Sequence, residues 1–200
     1  MEILMRVGIR HKINCKDEKF IINYNINFTF SINAQKLKLK NFILTDYEIE
    51  QNDNIYIKSF SIIDQKGNLK VYSDSYDGKN YFEYKLSTAE IEEINLLAKQ
   101  SLESWIKQKQ LKKNQFFAGS RRMIRFENNR KLESLCFIEP FMSEEFMNIL
   151  KILNDKIYKH DSLAKIESFT VDFEKIKKEI LKRNKIDSYL PDKAVITQVR

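Results

Sequence analysis

IYIKSFSIIDQKGNLKVYSDSYDGKNYFEYKL, residues 55–86, holds apolar-rich runs at Ile55–Ile63, Leu69–Ser73 and Tyr81–Leu86 separated by short breaks. Asp64-Gln65-Lys66-Gly67-Asn68 and Tyr76-Asp77-Gly78-Lys79 fill the breaks, and Asp-Gly suits the positive φ of a tight hairpin turn. Connections this short join antiparallel neighbours, since a parallel crossover needs about a dozen residues or more. The segment is expected to be an antiparallel meander.

Toward the N-terminus the same pattern continues. Leu37–Glu50 reads as extended and reaches Ile55 across a turn at Gln51-Asn52-Asp53-Asn54. Before it, Phe20, Ile22, Tyr24, Ile26, Phe28, Phe30, Ile32 and Ala34 alternate with an Asn-rich set. A period of two makes this a strand with one apolar face. At ~3.3 Å per residue it would reach about 50 Å, so it is long and bent or broken by a bulge.

Toward the C-terminus, Ser87-Thr88-Ala89-Glu90 is a capping box, with Leu86 and Ile91 placed as a hydrophobic staple. Ile91, Ile94, Ala98, Leu102 and Trp105 would share one face of a single central helix ending in Lys107–Lys113. Its acidic start and basic end suit the helix dipole. A turn at Gly119-Ser120 precedes a hairpin of Arg122–Phe126 and Leu132–Ile138. Ser143 can cap a helix whose core face is Phe146, Ile149, Leu150, Leu153 and Ile157. Ile166–Phe173 alternates like a strand, a helix follows to about Arg183, and the tail from Asp187 is irregular. The expected fold is α+β: an N-terminal antiparallel β-meander with one long strand, a capped central helix and a mainly helical C-terminal part. Residues 1–113 and 114–200 are expected to form one continuous domain.

A chain of 200 residues with 42% hydrophobic and 32% charged residues can bury a core without metal or disulfide staples. Four glycines and two prolines leave no phosphate-cradling Gly-rich loop. Cys15 and Cys136 are expected to be reduced thiols of a cytoplasmic protein. Met1–Arg10 carries Glu2, Arg6 and Arg10 and does not read as a signal peptide; no run is apolar enough for a membrane span.

Net charge is +7, and residues 107–131 alone carry nine basic side chains and one acid. The remainder of the chain is therefore −1, so the positive charge is local. Lysine and arginine neutralise phosphates, and exposed aromatics stack on unpaired bases. Lys112, Lys113, Phe116, Phe117, Arg121, Arg122, Arg125, Arg130 and Lys131 are accordingly the candidate nucleic-acid-binding residues. Helix ends also attract lysine, and the aromatics could equally be core.

Other chemistry is weaker. Asp74 or Asp77 followed by Glu83-Tyr84-Lys85 resembles the hairpin motif of the PD-(D/E)xK nucleases, which implies a Mg²⁺ site at those residues. Ile62–Leu69 followed by the capped helix resembles SpoVG-type nucleic-acid binders over about a quarter of the chain, with Tyr72-Ser73 where that family has Pro-Ser. That resemblance implies nucleic-acid binding. His160-Asp161-Ser162 has the letters of a hydrolase triad, but contiguity does not assemble one. His11 and Cys15 lack the companions of a zinc site.

The expected function is non-enzymatic binding of nucleic acid or another polyanion, with no cofactor and no membrane. The alternative is an assembly subunit or partner-binding protein, a homo-oligomer or part of a phage, mobile-element or defence complex. A metal-dependent nuclease is the second alternative.

Overall fold

A computed structural model describes residues 5–9, 24–28, 36–50, 53–112, 117, 119–159 and 161–186 of the chain. The chain divides into two compact units, Met1–Ala34 and Gln35–Arg200. In the first, β1 (Met5–Ile9) and β2 (Tyr24–Phe28) pair antiparallel, with Met5 opposite Phe28 and Ile9 opposite Tyr24. Of the long strand expected over 20–34, Tyr24–Phe28 is strand, and the flanking residues lie outside the described ones.

The second unit is built on a seven-stranded sheet in the order β8-β7-β3-β4-β5-β6-β9, in which every pairing is antiparallel. Its centre is the expected meander: β3 (Lys40–Ile49), β4 (Ile55–Ile63), β5 (Asn68–Ser75) and β6 (Gly78–Lys85). The hairpin of β7 (Arg121–Asn128) and β8 (Lys131–Phe137) returns along the free side of β3, and short β9 (Lys165–Ile166) borders β6. The expectation of a mainly helical C-terminal part therefore does not hold. Met123, Ile124 and Phe126 fit a sheet buried on both faces, and β3 offers them an open edge of backbone donors and acceptors.

Helices cover both faces. On one, α1 (Thr88–Asn95) and α2 (Glu144–Tyr158) pack over Phe42, Leu44, Leu69, Val71, Ile124 and Phe137. On the other, α3 (Phe173–Ile186) seats Ile176 and Ile180 among Ile43, Tyr47, Phe60, Tyr72 and Met123. Phe146 is fully buried between Trp105 and Phe137, and burying one such ring contributes about 1.5–3 kcal/mol. Cys136 is buried in the α3-side core as a reduced thiol.

Both predicted caps form. Ser87 Oγ accepts from Glu90 N (3.3 Å) while Glu90 Oε2 accepts from Ser87 N (2.7 Å), and Ser143 Oγ accepts from Phe146 N (3.3 Å). The central helix is shorter than its apolar spacing suggests. It ends at Asn95 and gives way to separate 3-10 turns at Leu96–Lys99 and Leu102–Trp105. The tighter turns still bury Leu97, Leu102 and Trp105, so core burial and helical continuity are separable here. Residues 107–112 consequently do not terminate a helix, and Lys113 lies outside the described residues. Phe169 and Val171 pack against the α3-side core without joining a strand. Among the described residues no helix is long and apolar enough to cross a membrane.

Candidate polyanion-binding cleft

Residues 36–40 read Lys-Leu-Lys-Leu-Lys. Alternation sends Leu37 and Leu39 into the core and leaves Lys36, Lys38 and Lys40 exposed. Two asparagines tie down this segment and its neighbour. Asn95, at the end of α1, accepts from Lys38 N (2.8 Å) and donates to Lys36 O (3.3 Å). Asn128, at the end of β7, donates through Nδ2 to Ala98 O (3.0 Å).

These ties hold three chain segments around an open cleft of about 710 Å³ lined by Lys38, Glu92, Asn95, Leu96, Ala98, Lys99, Asn128 and Asn129. Asn129 and Arg130 form the two-residue β7–β8 turn, both at positive φ (49° and 66°), the geometry of a type I′ hairpin. Arg130 is thereby exposed beside the cleft wall. Lys36, Lys38, Lys40, Lys99 and Arg130 are all exposed; Lys40 sits opposite Glu127 in the β3–β7 register. Of the nearby acids, Glu92 lines the cleft, and Glu127 accepts a long contact from Asn41 Nδ2 (3.4 Å). The cleft lining therefore combines two cations, Lys38 and Lys99, one acid, Glu92, and the amides of Asn95, Asn128 and Asn129, an arrangement suited to holding an anion by charge and hydrogen bonds.

The residues singled out from the 107–131 charge do not converge on one surface. Lys112 is exposed, and Lys113 and Phe116 lie outside the described residues. Phe117 is half-buried, with its ring against Gly119. Along β7, alternation splits the arginines. Arg121 and Arg125 point to the α3 side, where Arg125 pairs with Glu179 of α3. Arg121 lies beside Tyr47; burial and the neighbouring Cys136 thiol push that hydroxyl above the ordinary tyrosine range, against the pull of Arg121. Arg122 points to the α2 side and is buried, its Nε 3.1 Å from Asp46 Oδ1 and its Nη1 3.3 Å from Glu139 Oε1. Lys131 is exposed and bonded to Glu133 (2.6 Å). Of the set, Arg130 is exposed and follows Asn129, which lines the cleft.

Sequence reasoning passed over Lys36, Lys38, Lys40 and Lys99. The signal was present in the Lys-Leu alternation of 36–40, a strand period with its charged side turned outward.

The nuclease residues are differently engaged. Lys85 Nζ bonds Lys66 O and Asn68 Oδ1 (3.0 Å), bracing the β4–β5 turn, and Asp74 accepts from Tyr72 OH (3.1 Å). Among the described residues no group of three or more His, Cys, Asp or Glu side chains could hold a metal ion. His11, Cys15 and His160 fall outside the described residues. Comparison with protein families, curated proteins and solved structures finds no match for this chain.

Proposed function

We propose that the protein binds nucleic acid, or a polyanion of similar charge density, without chemical turnover, and that the cleft is the binding site. The observation that carries this reading is the pair of exposed cations Lys38 and Lys99 lining a concave, amide-rich cleft, with Lys36, Lys40 and Arg130 exposed at neighbouring positions of the same chain segments. Among the described residues neither Lys38 nor Lys99 forms an ion pair with an acid. Each phosphate neutralised releases counterions, so the two lining cations alone would give log K against log salt a slope of about −1.4 to −1.8, and each neighbouring cation that also meets a phosphate would steepen it by about 0.7–0.9.

Titration of labelled DNA and RNA, single- and double-stranded, at several salt concentrations tests it. Replacing Lys36, Lys38 and Lys99 by Gln should weaken binding and flatten the slope by about 0.7–0.9 for each phosphate no longer neutralised. Affinity without a salt slope, or a triple variant that binds as wild type does, would sink the proposal.

The assembly-subunit reading draws on large apolar side chains left in solvent, Tyr76 at the β5–β6 tip and Leu163 before β9. Light scattering on the purified chain checks it: a monodisperse monomer with no co-purifying partner argues against it.

A further inference from the structure

The α3 side of the sheet differs in charge from the α1/α2 side. Helix α3 carries six basic residues and two acids, α1 three acids and no base, and α2 three acids and two bases. Both α3 acids are already engaged, Glu174 by Lys177 (3.1 Å) and Glu179 by Arg125. Ile176 and Ile180 bind the helix to the sheet, which turns Lys175, Lys178 and Lys182 outward. These three recur at i, i+3 and i+7 and are exposed; the Lys175 backbone N–H donates to Asp172, but among the described residues none of the three ammonium groups forms an ion pair. Like charges at these spacings repel, and an anion bound along this face would relieve that repulsion. They span about 10 Å of helix, over which one nucleic-acid strand presents roughly three phosphates.

The cleft lies on the other side. Its walls come from α1, the 3-10 turn after it and Asn128, whose strand turns Arg122, Ile124 and Phe126 to the α1/α2 face. We infer that the outward face of α3 is a second polyanion surface, so that one molecule holds two nucleic-acid segments across its sheet. This inference rests on the cleft reading for its first segment. A bivalent, bridging protein follows from the placement of the two cation groups and needs no oligomer.

The test uses the full chain and two non-complementary short oligonucleotides, one fixed to beads and one fluorescent in solution. Wild-type protein should retain the fluorescent strand on the beads. The Lys175→Gln/Lys178→Gln/Lys182→Gln variant, with unchanged circular dichroism, should still bind a single oligonucleotide but retain at least about tenfold less of the second strand. Lys36→Gln/Lys38→Gln/Lys99→Gln should lose retention equally.

If wild-type protein binds one strand and retains no second, the bridging inference fails and the cleft reading stands. An α3 variant that bridges as well as wild type, with light scattering showing a dimer, also overturns the inference. If only the α3 variant loses single-strand binding, the cleft reading fails and a single surface replaces two. No binding by wild-type protein removes both.

Discussion

Arg122 and Asp46 face each other on β7 and β3 as an ion pair inside the protein, with Arg122 Nε 3.1 Å from Asp46 Oδ1 and the Asp46 side chain wholly buried. Tyr158, the last residue of α2, donates its hydroxyl to the same carboxylate. Burial and the Asp46 charge together hold the Tyr158 hydroxyl above the ordinary tyrosine range. The cluster ties the hairpin, the meander and the end of α2 at one point. A basic residue that looks like a phosphate ligand in one dimension is here a structural partner.

Removing one member of a buried pair strands the other charge. Arg122→Met should cost about 3–5 kcal/mol in urea unfolding. Asp46→Leu combined with Arg122→Met should recover most of that stability, because neither charge then remains buried alone. An Arg122→Met protein as stable as wild type would contradict the internal role.

Arg130 sits at φ 66°, a left-handed conformation that costs a residue with a Cβ about 1–2 kcal/mol. Arg130→Gly should leave stability unchanged or raise it by up to about 1 kcal/mol while lowering the salt slope of polyanion binding. Denaturation and titration on the same preparation separate the two effects.

Gly67 is at φ 77°, and a Cβ there would lie 2.6 Å from Ile91 Cδ1. Gly78 is at φ 96°, and a Cβ there would meet open space. Both Ala variants carry the backbone cost, but only Gly67→Ala also pushes on α1. Gly67→Ala should be the more destabilising by roughly 1 kcal/mol or more in paired unfolding curves.

Glu90 links the cap of α1 to Lys156 of α2 (3.0 Å). Burial opposes its ionisation, but the Ser87 backbone N–H and hydroxyl and the Lys156 ammonium outweigh that and hold its carboxyl below the ordinary 4.5. A lowered folded pKa means stability that is present above 4.5 and lost as pH falls through the folded value. Glu90→Gln should therefore be less stable than wild type near neutrality, and the gap should close on acidification. Unfolding midpoints measured between about pH 3 and pH 7 would show it; a gap independent of pH would contradict this role for the charge.

The local rules were legible in the chain. Strand alternation and Gly-bearing turns marked β4, β5 and β6; Ser87 and Ser143 marked two helix starts; and the spacing of Phe146, Ile149, Leu150, Leu153 and Ile157 marked the buried side of α2. Each depends on neighbours a few residues apart, whose geometry the backbone itself dictates. What tertiary structure decided was which edge the β7–β8 hairpin joined, where the central helix stopped, and which cations met. Arg121, Arg122 and Arg125 lie within five positions in sequence, yet pleating sends Arg122 to the opposite face of the sheet. Lys38, Lys99 and Asn129 are far apart in sequence, yet pairing of β7 with β3 and the hydrogen bonds of Asn95 and Asn128 gather them around one cleft. Charge read along the chain counts cations, whereas long-range pairing determines which of them share a surface.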